Sequence, residues 1–367
     1  MEESTLTRLE RFRLRYGWGY ETSDFAFYGS EGRNAHDLTD FLGYAWFRYR
    51  LRPVLNSKWA RSVTEDKWIA YRLLDSLGLP APKTFGLYDR THGTTWDLAR
   101  PLRTVADLLA ELDRLRPPAV VLKPNGGGQG KQVLVLDSID FDSGRAVTRA
   151  GGETTLEEAL SGVAVDGDIG GYPGFIVQEL VRNHPSIEEL APYATNTLRV
   201  QTLLANDGTV NLLGAVLRLS RKGKAVDNFS QGGLAVAVDT ETGVMGRGLD
   251  KKDLRLRSDH PDSGVTVVGR QVPFWDEVTA LVRKGAGGIT GLRAIGWDVA
   301  VTPTGPVVVE ANNDWDLQLL QSHTDGYLGD PDFRAWMADL GAPLPTGNVL
   351  HGLAGRWVWP LLQRVGK

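Results

Sequence analysis

Short apolar runs broken by glycine and proline fill the middle of the chain. They predict strands at 83–88, 119–124, 131–137, 175–181, 197–205, 210–220 and 234–239, then a Val-rich pair at 295–301 and 307–312. Spacing of three and four predicts a helix over 37–51, with Leu38, Phe41, Leu42, Ala45 and Tyr49 near one face. A second helix is expected over 64–77, capped by Thr64 and carrying Trp68, Leu73, Leu74 and Leu77. Thr104 opens a third, which Pro117-Pro118 ends, and further helices are expected at 275–284, 314–321 and 332–340. Antiparallel-looking runs outweigh strict β-α-β alternation, so the fold class is α+β.

The 295–312 segment breaks the apolar pattern at Asp298, Glu310 and Asn312. Burying such groups is costly unless something neutralises them. Residues two apart on a strand share a face, which joins Glu310 to Asn312. Asp298 joins that face if it pairs with residue 310 or 312, which an odd loop, Pro303-Thr304-Gly305, would bring about. Three hard oxygen ligands would then converge, which suits Mg²⁺. A surface hairpin with scattered polar residues is the competing reading.

Composition narrows the function classes. A chain of 367 residues can bury a sizeable core and hold two or three subdomains. The net charge of −4 argues against a general nucleic-acid binder. With no cysteine, disulfides, thiolate metal sites and cysteine nucleophiles are excluded. No apolar signal core follows Met1, and no run reaches a membrane span, so a cytoplasmic protein is expected. Residues 1–62 mix aromatic residues (Tyr20, Tyr28, Phe41, Trp46, Phe47 and others) with arginines. They read as a small helical subdomain with an aromatic core, or as a substrate-side cap.

Other segments carry candidate chemistry. Lys123 ends an apolar strand, and Gly126, Gly127, Gly128, Gln129 and Gly130 turn the chain back into another. Backbone N–H groups of such a loop can close on a phosphate, with the Lys123 ammonium beside it. No helix with Ser or Thr follows, so this is neither a P-loop nor a dinucleotide fingerprint. Phe175–Val181 ends in polar residues and can offer backbone groups to a base edge. Arg199 and Arg218 each sit in an apolar strand, where an arginine needs an anionic partner: a phosphate, a carboxylate or a structural ion pair. Asn228 and the Gly232-Gly233 pair follow in a polar loop.

In this order the segments resemble the ATP-grasp superfamily over roughly residues 56–321, most of all its sugar-transfer-associated members and more distantly glutamate-ligase-type carboxylate–amine ligases. The resemblance implies two α+β subdomains clamping ATP, preceded by an aromatic-rich helical extension. The corresponding divisions are 1–62, a pre-grasp segment 63–118, an N-subdomain 119–185, a C-subdomain 186–345 and a tail 346–367. It further implies that Lys67 and Lys123 meet the phosphates, that 126–130 cover them, and that Gln178, Glu179, Leu180 and Val181 meet the adenine. His184 or Glu188 would reach the ribose. Asp298, Glu310 and Asn312 would hold Mg²⁺ or Mn²⁺, and Arg199, Arg218 and Asn228 would face the transferred phosphoryl group.

The implied activity is ATP- and Mg²⁺-dependent joining of a small carboxylate to an amine through an acyl phosphate. The amine would belong to an amino acid, a peptide or an amino sugar. A small-molecule kinase and a non-catalytic nucleotide-binding protein are the rival readings. No membrane or nucleic-acid partner is expected, and a homo-oligomer is compatible with the sequence. The usual mononucleotide-like domain before the grasp has no counterpart in 1–62, which leaves the acceptor pocket undefined.

Overall fold

A computed structural model describes residues 6–28, 36–126, 132–149, 152–163, 174–224, 229 and 232–350. Among them, two seven-stranded antiparallel sheets carry the architecture. The first comprises β1 (Thr84–Tyr88), β2 (Thr94–Thr95), β3 (Val120–Pro124), β4 (Leu134–Asp140), β5 (Arg145–Thr148), β6 (Gly152–Thr155) and β7 (Phe175–Glu179). Its order is β2-β1-β7-β3-β4-β5-β6. The second comprises β8 (Thr197–Leu204), β9 (Val210–Leu219), β10 (Leu234–Val238), β11 (Met245–Asp250), β12 (Leu256–Arg257), β13 (Ala294–Thr302) and β14 (Gly305–Asn312). Its order is β12-β11-β10-β9-β8-β13-β14. A boundary at 118/119 does not coincide with a sheet boundary, because β1 pairs with β7 and belongs to the first sheet.

Period-two alternation gives the second sheet two covered faces. Ile295, Trp297, Val299 and Val301 of β13 pack with Val278, Val282 and Ala286 of the helix Trp275–Gly288 and with Tyr71 and Leu74 of the helix Lys67–Ser76. The opposite face, which carries Val216, Ala235 and Ala294, packs against the N-terminal segment. There Leu14, Tyr20, Tyr28, Phe41 and Phe47 are buried, so most of the early aromatic residues are core. A few stay outside, including Phe12 and Trp59, the latter 82% exposed.

The helix expected over 37–51 is instead a series of short turns. A 3₁₀ turn spans Asp37–Asp40, an α turn Tyr44–Trp46 and a π turn Phe47–Leu51. Gly43 interrupts it, since a Cβ there would lie 2.3 Å from the backbone of Gly19. The helix expected over 64–77 divides at Asp66, into Lys58–Glu65 and Lys67–Ser76. Asp66, not Thr64, caps the second piece, accepting from the Ile69 N–H at 3.0 Å.

The 295–312 hairpin brings Asp298 opposite Glu310 and Gly296 opposite Asn312, so the three polar side chains share one face. The means differ from the expected three-residue loop. Thr302 pairs with Gly305 across a two-residue turn, and a β-bulge between 298 and 299 supplies the odd residue, Val309. The bulge turns Glu310 to the polar face although Val308, two residues earlier, is buried against the core. Pro306 is tolerated because β14 is an edge strand.

Candidate active site

The polar face of the hairpin continues across β8 and β9. Arg199 lies opposite Asp298, and Thr197 lies opposite Arg218. Arg199 donates to Asp298 Oδ1 from Nε at 2.6 Å and to Oδ2 from Nη2 at 3.1 Å, a bidentate pair. Arg218 Nη2 reaches the same carboxylate at 3.0 Å. Side-chain exposure is only 6% for Asp298 and 8% for Arg199. Burial pushes the Asp298 pKa up, but the two guanidinium groups outweigh it and hold the carboxyl below the ordinary range. Asn312 extends Nδ2 toward Asp298 Oδ2 at 3.4 Å and toward the Gly296 carbonyl at 3.3 Å. The arginines read from sequence as facing a phosphoryl group are thus engaged with the carboxylate read as a metal ligand.

Glu310 is more open, with 26% of its side chain exposed, and Lys67 Nζ lies 3.2 Å from its Oε1. Lys67 begins its helix beside the first sheet, where its N–H donates to the Asn125 carbonyl and the Trp68 N–H to Asn125 Oδ1. Lys123, at the end of β3, donates to the Tyr71 hydroxyl at 2.5 Å. Tyr71 in turn donates to the carbonyl of the bulged Val309. The two sheets are therefore linked through Lys123, Tyr71 and Val309. Burial pushes Lys123 down to about 8, against the opposing pull of Glu310 and Asp298.

Asp316 joins the group from beyond the hairpin. Its backbone is left-handed, φ 54°, and its side chain caps no N–H of the short helix that follows. Burial raises its pKa, against the charges of Arg199 and Arg218. Four cationic side chains (Lys67, Lys123, Arg199, Arg218) thus meet three carboxylates (Asp298, Glu310, Asp316), a balance that favours a polyanionic guest.

On the same face of the first sheet as Lys123, Ala119, Val121, Val133, Val135 and Leu180 form a small apolar patch. Sequence reasoning read Ala119, Val121, Val133 and Val135 as ordinary strand residues and Leu180 as meeting the adenine; only the register shows the patch beside Lys123. Gln178 is buried on this face and donates to Thr84 Oγ1 at 2.8 Å. Glu179 and Leu180 give their N–H groups to Lys83 and Ala119. Val181 and Glu188 line an adjoining cavity of about 280 Å³ with Asp137, Arg149 and Arg182. His184 is a helix cap, its Nδ1 accepting from the Ser186 N–H, and its ring packs on Phe274. Of the glycine loop only Gly126 is among the described residues; Gly127, Gly128, Gln129, Gly130 and Asn228 lie outside them.

Tyr71 was missed in the sequence, where it looks like one more apolar position on its helix. Asp316, with Trp315, reads in the sequence either as lining an acceptor site or as starting the next helix.

The sequence model of the sugar-transfer associated ATP-grasp family matches residues 46–327, and the chain belongs to that family. It has the ATP-grasp fold, and the superfamily is one of ATP-binding ligases. No curated protein matches the sequence. Solved structures are similar at a distance. Biotin carboxylase from Campylobacter jejuni, a complex with β,γ-ATP, is 13% identical with TM-score 0.47, over 81% of this chain and 50% of that one. Carboxyaminoimidazole ribonucleotide synthase from Aspergillus clavatus, complexed with ATP, is 14% identical with TM-score 0.44, over 80% and 56%. An L-amino acid ligase from Bacillus licheniformis is 14% identical with TM-score 0.37, over 69% and 41%. The chain thus spans about half the length of the structures it matches. Among the described residues no helix is long and apolar enough to cross a membrane.

Proposed function

We infer that this chain is an ATP- and Mg²⁺-dependent ligase that joins a small carboxylate to an amine, releasing ADP and phosphate. The observation that carries the reading is the convergence of Lys67 and Lys123 from one side with Arg199, Arg218, Asp298, Glu310 and Asn312 from the other. The apolar patch around Val121 offers a surface for the adenine ring, and the segment Glu179 to Val181, whose Glu179 and Leu180 N–H groups are already bonded within the fold, would meet its edge. Lys67 and Lys123 neutralise phosphate charge, and the sequence resemblance assigns 126–130 and Asn228 to the phosphates as well.

Asp298, Glu310 and Asn312 share one face, so the half-exposed Glu310 and Asn312 would hold a hard divalent cation, with Asp298 joining them in exchange for a guanidinium partner. When bound, Mg²⁺ would neutralise the nucleotide's phosphates. The protein's own work is positioning and charge compensation in a water-poor cleft. A carboxylate resists attack by an amine, since oxide would have to leave. Transfer of the γ-phosphoryl group gives an acyl phosphate, and the amine then displaces phosphate. Arg199 and Arg218 are held within reach of the charge that develops on the acyl oxygen, with Asp298 keeping them oriented.

The deciding test is incubation with Mg²⁺, ATP and a panel of carboxylic acids in hydroxylamine. A hydroxamate with stoichiometric ADP supports the ligase. A stable phosphorylated product formed without any amine would identify a kinase, and no ADP with any acid would leave only nucleotide binding.

A further inference from the structure

The helix Arg8–Gly17 has two unlike faces. Leu14 and Gly17 are buried, Leu14 within the aromatic core of the N-terminal segment. Leu9, Phe12 and Tyr16, spaced three and four apart, run along the opposite face. Leu9 is 68% exposed and Phe12 45%, and the Phe12 and Tyr16 rings lie 4.7 Å apart. Arg8 and Arg13, both exposed, stand four residues from Phe12 and Leu9 respectively and so flank this stripe. Arg11 lies over the Phe25 ring, 5.4 Å from its centroid.

The charge on this helix is largely unanswered. It carries four arginines and a single acid, Glu10. Glu10 is engaged at the cap, where its Oε2 accepts from the Thr7 N–H and hydroxyl at 2.7 Å each. Arg8, Arg11 and Arg13 form no ion pair among the described residues. Arginines elsewhere on the surface do: Arg114 with Glu111, Arg221 with Asp262 and Arg270 with Glu189. In a chain of net charge −4 this is a local excess of positive charge. The C-terminal stretch meets the same helix. Gly347 packs on Gly17, where a Cβ would lie 2.9 Å from the Gly347 carbonyl oxygen. The sequence beyond, 351–367, has no acidic residue and sets Trp357, Trp359 and Leu361 among Arg356, Arg364 and Lys367. Both segments thus combine apolar and cationic side chains.

We propose that the outer face of the helix Arg8–Gly17 docks on an anionic phospholipid surface, with Leu9 and Phe12 entering the acyl boundary and the arginines meeting headgroups. Exposed apolar side chains rimmed by charge mark an interaction site. A bilayer surface offers negative headgroups and an apolar layer within about 5–10 Å of each other, which matches one helix face. A nucleic acid would answer the arginines and leave Leu9 and Phe12 in water. A surface helix needs no spanning run, so the absence of one among the described residues is compatible with it. The docking face does not depend on the ligase reading and holds whichever reaction the cleft catalyses.

The test is co-sedimentation of the full chain with vesicles of phosphatidylcholine alone and with vesicles in which about a third of the lipid is phosphatidylglycerol. Wild type should bind the anionic vesicles at least tenfold more tightly than the neutral ones. Raising NaCl from about 0.05 M to about 0.5 M should weaken that binding at least tenfold. The double variant Leu9→Asn, Phe12→Asn should also lose at least tenfold, and so should the triple variant Arg8→Gln, Arg11→Gln, Arg13→Gln. The double variant should melt like wild type, since both side chains it changes are exposed. No vesicle binding by wild type, or wild-type binding by either variant, overturns the docking face. Binding of wild type to polyglutamate and not to vesicles also overturns it, and makes the partner an acidic protein.

Discussion

Arg199 grips Asp298 through two hydrogen bonds, at 2.6 and 3.1 Å, inside the polar face of β8 and β13. A metal ligand in an otherwise neutral strand could be exchanged for its amide with little effect on folding. Asp298 is different, because it also answers Arg218. Removing one partner of a buried ion network leaves the rest uncompensated and typically costs about 3–5 kcal/mol. Asp298→Ala should therefore lose stability on that scale in urea unfolding, and Asp298→Asn a smaller part of it, besides losing ADP formation. Glu310→Gln, at a half-exposed position paired with Lys67, should lose ADP formation with a melting temperature close to wild type. An Asp298→Ala protein as stable as wild type would refute the ion network.

The depressed pKa of Asp298 also sets a direction for acid stability. Its folded value lies below the ordinary carboxylate value of 3.8, so its stabilising contribution is present above that pH. It is lost as pH falls below 3.8 and through the folded value. Urea midpoints from pH 6 to pH 3 should fall more steeply in wild type than in Asp298→Asn, which has no proton to take up there.

Lys123 makes the opposite kind of pH prediction. Burial brings its ammonium down to about 8, whereas the unfolded side chain keeps a proton to about 10.5. Between those values the folded chain holds fewer protons, so this group's penalty on folding eases as pH rises. Nucleotide affinity should move the other way. Above about pH 8 the free protein must regain the proton before Lys123 can meet a phosphate, so the dissociation constant of an ATP analogue should climb up to tenfold per pH unit. Lys123→Met should bind weakly at pH 7 and lose that dependence. A flat wild-type profile from pH 7 to 9.5 would remove Lys123 from the phosphate site.

Tyr71 carries a different burden. Its hydroxyl accepts from Lys123 and donates to Val309, so it joins the strand that ends in the lysine to the bulge that aims Glu310. Tyr71→Phe keeps the ring in the core and deletes only this link. It should cost about 1–3 kcal/mol, the range for leaving a buried partner unsatisfied. It should also raise the ATP KM, since both Lys123 and Glu310 lose their shared anchor. Unchanged stability together with unchanged KM would dissolve the link.

How much of this could be read in the sequence depended on how local the signal was. The strands at 197–204 and 210–219 were legible because apolar β-rich runs end in turn residues. The Asp298, Glu310 and Asn312 set was legible because polar groups inside such runs need a reason. The bulge at Val309 was not, since one extra residue in a Val-rich strand leaves no compositional trace. The paired ions were half legible. An arginine in a core strand announces an anion, but only the cross-strand register shows that Asp298 is that anion for both Arg199 and Arg218. The first sheet's β5 and β6, half exposed and polar, gave no period to find.

Gly296 shows how tightly the backbone beyond the hairpin is held to the site. A Cβ at this position would lie 3.0 Å from the Trp315 Cα, 3.2 Å from its Cβ and 3.3 Å from Arg199 Cδ. Trp315 cannot retreat, because its indole is buried edge-on against Phe47 with ring centroids 4.8 Å apart. The crowding would thus fall on Arg199 and on the backbone leading into Asp316. Gly296→Ala should cost about 1–3 kcal/mol by overpacking. It should also lower kcat more than it raises the ATP KM, since Lys67 and Lys123 lie on the other side of the cleft. Gly305→Ala is the control: it strains a turn at φ 128° with nothing within 4 Å, so any stability loss there should leave kcat intact. If Gly296→Ala melts and turns over like wild type, Arg199 and Trp315 are not packed as described.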